Sequence, residues 1–237
     1  LFLVADGTET EIKTRKHVED ILLANNNLYV TSHQHLGGSK TGALAVYGLD
    51  GSKKKEITHR AASKMSKGDG LIAVSGDEGD IKLVNSSTRS VVSSFSHGVS
   101  VHDAAPSEDA VYLAATKRKP AAISGTTKTG NIAKVSTSGR NLSSFNLGVT
   151  SLPHDIHRAK GHILMLDIRG EIRKLDPEFN DTGVVTELPG GPVDMAVSGS
   201  HAYILEEQNN TLGRVNIENM VLDERAVLPG VTAVASN

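Results

Sequence analysis

The 237-residue chain has no cysteine and no tryptophan, and only four tyrosines and four phenylalanines. Without cysteine there can be no disulfide, no thiolate nucleophile and no cysteine-ligated zinc, which is compatible with an intracellular compartment but does not assign one. No apolar run approaches the roughly 20 residues that a membrane-spanning helix needs. An excess of one charge sign is also missing. The 25 Lys and Arg against 27 Asp and Glu leave a net charge of −2, so the balance points neither to nucleic acid nor to an anionic membrane. No signal peptide is visible, and Leu1 is not a start methionine, so the chain reads as trimmed at this end.

What the chain does contain is a repeat. Ser151 to Gly190 reads as four short strands, Asp155–Arg158, His162–Asp167, Glu171–Leu175 and Gly183–Leu188. Turn signals at Lys160-Gly161, Arg169-Gly170 and Pro177 to Asp181 separate them. Runs this short and this rich in Ile, Leu and Val suit strands rather than helices. The same order recurs on both sides. Markers in the first strand of each unit, Asp20, Lys64, Asp103, Asp155, Asp194 and Ala233, are spaced by 44, 39, 52, 39 and 39 residues. The two long spacings coincide with long second-to-third-strand loops, His33–Gly42 and Lys117–Gly130, and both loops end in Lys-Thr-Gly.

Repeated four-stranded units predict an all-β β-propeller. The units fall at 17–60, 61–99, 100–150, 151–191 and 192–231. A sixth blade is expected from 232–237 together with 1–16, closing the ring and leaving no long free edge. Six blades are therefore predicted in a single domain over 1–237, with five or seven left open. Deleting the closing stretch VTAVASN is expected to cause aggregation or loss of cooperative unfolding.

Three segments carry a family likeness. SFSHGVSVHDAAPSEDAVYLAAT resembles the WD40 pattern, and LVNSSTRSVVSSF and KLDPEFNDTGVVTEL resemble the YVTN-type propeller rhythm. No Trp-Asp dipeptide ends a third strand; Asn85, Ser136, Asp176 and Asn216 stand there instead. The resemblance implies that first strands line a central channel. On that geometry Asp20, Lys64, Asp103, Asp155 and Asp194 surround one mouth, with His102 and His154 beside them. Repeated aspartates of this kind are expected to accept backbone amides of their own or a neighbouring blade. As a metal site, Asp20, Asp103, Asp155 and Asp194 would suit a channel cation such as Ca²⁺, and His102 or His154 would add imidazole for a transition ion. No other cofactor is expected. The segment PHDIH, Pro153–His157, also resembles the Pro-His-Asp stretch of lactonase-type propellers.

The two long loops would rim the same mouth with His33, His35, Lys40, Lys117, Arg118, Lys119 and Lys128, a set suited to a protein or peptide partner. His33 and His35, two apart, could chelate. The sequence assembles no nucleophile, base and oxyanion set. The reading is therefore a non-catalytic interaction scaffold that binds another protein, not nucleic acid or membrane. A metal-dependent lactonase-like hydrolase and a structural subunit of a larger assembly are the alternatives.

Overall fold

Short β-branched runs alternate with residues that tolerate left-handed backbone, and the chain folds accordingly into antiparallel hairpins. The structure, a computed structural model, describes residues 2–5, 8–14, 17–36, 39–60, 62–76, 78–120, 126–148, 151–188 and 190–230. Phe2–Ala5 (β1) and Thr8–Glu11 (β2) pair with each other as a two-stranded hairpin. Five four-stranded antiparallel sheets follow. Blade 1 is His17–Ala24 (β3), Asn27–Leu36 (β4), Ser39–Gly48 (β5) and Lys53–His59 (β6). Blade 2 is Ala62–Gly68 (β7), Leu71–Gly76 (β8), Asp80–Asn85 (β9) and Val91–Ser96 (β10). Blade 3 is Ser100–Pro106 (β11), Ala110–Pro120 (β12), Thr126–Ser136 (β13) and Asn141–Gly148 (β14). Blade 4 is Pro153–Ala159 (β15), His162–Asp167 (β16), Glu171–Leu175 (β17) and Asp181–Glu187 (β18). Blade 5 is Pro192–Ser198 (β19), His201–Glu206 (β20), Thr211–Asn216 (β21) and Val221–Val227 (β22).

Turn chemistry sets the hairpins. Asn25-Asn26, Asp69-Gly70 and Lys160-Gly161 all adopt positive φ, the pairing of a type I′ turn whose twist matches its strands. Third strands end in a residue that caps the next turn. The Oδ1 atoms of Asn85, Asp176 and Asn216 accept the amides of Thr88, Glu178 and Glu218 at 2.8, 2.9 and 2.9 Å, and Ser136 Oγ accepts that of Arg140 at 3.0 Å. Those are the positions at which the sequence lacks Trp-Asp. A side-chain oxygen that holds the tight turn does that local work there.

The core lies between blades rather than within them. Leu22, Tyr29 and Leu44 of blade 1 pack on Met65, Ile72 and Val84 of blade 2. Equivalent apolar clusters join blades 2 and 3, 3 and 4, and 4 and 5. Sheets with both faces covered read as near-continuous apolar runs, such as LIAVS in β8 and HILML in β16. Few aromatics are needed because aliphatic side chains make up most of each of these clusters. Tyr29 is fully buried and donates its hydroxyl to Ser86 O across the first gap at 2.7 Å.

Among the described residues the chain is thus an all-β propeller of five four-stranded blades, the smaller count left open beside the six expected. The N-terminal hairpin does not form a four-stranded blade among the described residues. Its two strands pair only with each other, and the following Ile12 is buried against Leu28, Val30, Ala45 and Tyr47 of blade 1. VTAVASN, Val231–Asn237, on which the expected sixth blade depended, lies outside the described residues.

A second correction concerns the long loops. The chain stays paired through most of them, from His33↔Gly42 to Leu36↔Ser39 in blade 1 and from Thr116↔Gly130 to Pro120↔Thr126 in blade 3. They are two-stranded ribbons. Each leaves its blade at the edge where the first strand begins, since His17 pairs with His33 and Ser100 with Thr116. The glycine shared by the two Lys-Thr-Gly triplets has a steric reason. A Cβ on Gly42 would lie 2.8 Å from Ala62 N, and one on Gly130 would fall on the carbonyl oxygen of Ser151, where the chain enters the next blade.

Candidate functional site

One irregularity recurs in every blade. All five inner strands shift register between Val18 and Asp20, Ala62 and Lys64, Val101 and Asp103, Pro153 and Asp155, or Pro192 and Asp194. A bulge leaves one residue unpaired and re-aims the next side chain. The repeated residue therefore always follows a bulge, and its side chain is turned along the wall of the channel. Asp20, Lys64, Asp155 and Asp194 line one cavity of about 130 Å³. One strand period further on, Leu22, Ser66, His157 and Ala196 line it too.

The aspartates hold successive blades together, as a repeated buried acid should. Asp20 Oδ2 accepts the amide of Met65 at 2.7 Å, Asp103 Oδ2 that of Ile156 at 3.0 Å, and Asp155 Oδ2 that of Met195 at 2.8 Å. In each case the donor is the residue just after the next blade's marker. Blade 2 breaks the series, because Lys64 cannot accept. Its ammonium meets Asp194 of blade 5 at 2.5 Å. At this step Ser75 Oγ donates to His102 O of blade 3 at 3.4 Å, as Thr31 Oγ1 does to Ser63 O one gap earlier at 2.9 Å.

Burying these groups together forces a division of charge. Burial pushes the Asp20 carboxyl up to about 7, against the pull of Lys64 and the Met65 amide. Burial and the adjacent Asp155 charge push Asp103 well above the carboxylate range. For Asp155 burial is outweighed by Lys64 and by the hydrogen bond from His157, so its carboxyl stays well below that range. His157 loses basicity to burial but regains more from Asp155, and its imidazole is raised to about 9. Burial disfavours the Lys64 ammonium, and Asp155, Asp194 and Asp20 more than reverse this. Asp103 Oδ1 has no donor of its own. A proton on Asp103 turns its contact with Asp155 from a repulsion into a hydrogen bond.

The candidate residues separate into groups. Asp20, Asp155 and Asp194 meet at the cavity, whereas Asp103 meets Asp155 and His157: one ligand atom from each of those three lies within 4.8 Å of the others. His102 and His154 occupy the bulge positions and are not in that group. His102 Nε2 lies 3.0 Å from Thr116 Oγ1, and His154 Nδ1 is buried with no hydrogen-bond partner among the described residues. Sequence reasoning passed over His157 within PHDIH, although it stands two residues beyond Asp155 and so on the same face. Of the rim set, His33 Nδ1 is 2.8 Å from Glu19 Oε1 and its ring stacks on His17. His35 stands opposite Lys40, and Arg118 opposite an exposed Lys128, with Lys117 and Lys119 on either side.

The propeller class agrees with structural likeness. The computationally designed Ika8 protein matches with a TM-score of 0.55 at 11% identity, over 93% of this chain and 90% of that one. BBS1N, solved in complex with ARL6DN, matches with 0.62 at 12% identity, over 94% of this chain and 69% of that one. Chaetomium thermophilum Raptor matches with 0.61 at 10% identity, over 94% of this chain but 26% of that one. Identities this low speak to fold alone. No family profile matches the sequence, and no curated protein matches it.

Proposed function

We propose that this propeller is an interaction scaffold that takes an acidic segment of another protein on its channel-mouth face, chiefly through the β12–β13 ribbon. One observation carries the reading. From Ala110 to His154 the sequence has no Asp or Glu, but it holds Lys117, Arg118, Lys119, Lys128, Lys134 and Arg140. The ribbon's register sets Arg118 directly across from Lys128. Like charges facing each other across a strand pair cost stability unless an anion lies over them. Lys134 has its own counterion, Glu178 at 2.7 Å. The ribbon cations have no acid nearby in sequence.

The channel supports a binding role over a hydrolytic one. Asp20, Asp103 and Asp155 each give one oxygen to the amide of a neighbouring blade and Asp194 pairs with Lys64, and the cavity of 130 Å³ falls below the roughly 300 Å³ at which small-molecule pockets begin. A propeller-like chain solved with a protein partner, as for BBS1N with ARL6DN, fits the same use of the fold.

The test is a titration with a fluorescein-labelled oligo-glutamate peptide at low and at physiological salt. Binding is expected to weaken with salt and to fall at least about 10-fold, or about 1.4 kcal/mol, in a variant carrying K117A, R118A, K119A and K128A. Equal binding by that variant and the parent would remove the ribbon from the account.

A further inference from the structure

We infer that Asp103, Asp155 and His157 form a binding site for a divalent transition-metal ion in the wall of the channel. Three features of the channel wall point there, and none depends on the ribbon.

The first is the donor set. One carboxylate oxygen from each aspartate and one ring nitrogen of His157 lie within 4.8 Å of one another. Ligands each about 2.0–2.2 Å from a zinc ion stand at most about 4.4 Å apart, so a small inward shift lets the three share one ion. The second is the vacancy. Asp103 is 1% exposed, and its Oδ1 meets no donor although Oδ2 is held by Ile156 N. Buried polar atoms are almost always partnered; without an ion this oxygen is satisfied only by a proton shared with Asp155, and a cation held between the two carboxylates and the imidazole would take that proton's place. The third is rigidity. Asp103 and Asp155 are each pinned through their other oxygen to the amide of the following blade. His157 is set by the strand period from Asp155, with its Nε2 3.5 Å from Asp155 Oδ1. Three blades thus fix the ligands before any ion arrives, as blade 5 supplies the Met195 amide that holds Asp155.

The chemistry of the set selects the ion. An all-oxygen ring would take Ca²⁺, but two carboxylates and one imidazole favour Zn²⁺ or Mn²⁺. Asp155 and His157 also line the channel cavity, so coordination positions the protein leaves unfilled would face water. Lys64 and Asp194, beside the site, are already paired with each other and stay outside it.

Isothermal titration of the chelator-stripped full chain with ZnCl₂, MnCl₂ and CaCl₂ tests this, paired with thermal melts. The expected result is one site for Zn²⁺ or Mn²⁺, at least about 100-fold weaker for Ca²⁺, and a higher melting temperature with metal present. Asp103→Asn keeps an acceptor for Ile156 N but loses the ligand, and His157→Gln removes the imidazole. Each should weaken binding at least about 10-fold while circular dichroism shows a folded β protein. If either variant fails to fold, an anomalous-scattering map of the zinc-soaked wild type decides, with a peak between the three residues expected. No heat and no melting shift in the folded wild type would overturn the site. So would binding that both folded variants retain, which would place the ion on surface histidines, or a map with no peak there.

Discussion

Asp20 is the residue whose environment can be read most directly from stability. Its folded pKa of about 7 stands above its ordinary 3.8. Between those values the folded protein keeps a proton that the unfolded chain has lost, so this group's contribution is full below about 4 and declines as pH rises through 7. The groups that face it are Lys64 on β7, Asp155 on β15 and Asp194 on β19. Asp20→Asn keeps an acceptor for the Met65 amide and has no proton to lose. Relative to the parent it should gain on the order of 2 kcal/mol between pH 5 and pH 8, measured by urea unfolding at each pH. A difference that stays flat with pH would show that Asp20 is an ordinary solvated carboxylate.

The same scale shows what could be read in advance. The marker series was legible because it recurs near a fixed spacing and because a buried acid needs a fixed donor. His157 was not, because two residues past the markers stand Leu22, Ser66, Ala105, His157 and Ala196, which have no residue type common to all and so form no repeat. Lys64 stood in the series as one more marker. Its role as the counter-charge for Asp194 depends on which blades face each other, and spacing alone does not contain that.

Among the elements, the inner strand with its bulge is the repeated device, and the connection from one blade to the next is its tightest point. Gly130 illustrates the constraint. Its backbone lies so close to Ser151 O and Pro153 that a methyl group has no room. Gly130→Ala should cost about 2 kcal/mol or more, whereas Lys128→Ala, exposed two residues away, should fall within about 0.5 kcal/mol of the parent. Denaturant melts of the two variants make the comparison, and equal stabilities would mean that the blades are further apart than described. Both Lys-Thr-Gly triplets were visible in the sequence as a repeat. The glycine in each is required by a contact between successive blades, which became apparent only once the chain was folded. The reverse holds for the two ribbons. Polar, glycine-bearing stretches such as HQHLGGSKTG read as loops, yet cross-strand pairing continues along their described residues, from His33↔Gly42 to Leu36↔Ser39, because the flanking strands already fix the register.

At the scale of the molecule, period and turn chemistry were enough to define a radial stack of four-stranded sheets. β16 and β17 lie over the residues read from the sequence. The number of blades was less accessible, because a count of six required two terminal pieces to pair and the hairpin at the N-terminal end pairs only with itself among the described residues. What unites the molecule is the channel, where side chains from distant blades meet and settle their charges. Lys64 and Asp194 are 130 residues apart in the chain and 2.5 Å apart in the fold. A double-mutant cycle with Lys64→Gln and Asp194→Asn therefore tests the ring and its internal charge balance together. Lys64→Gln, which strips Asp194 of its ion pair, should lose roughly 3 kcal/mol; Asp194→Asn should lose less, since Asp155 and Asp20 also face Lys64; and the pair should lose less than the sum, giving a coupling of at least about 1.5 kcal/mol. A coupling within about 0.5 kcal/mol of zero would mean that the two side chains do not meet across a common channel, contradicting the account.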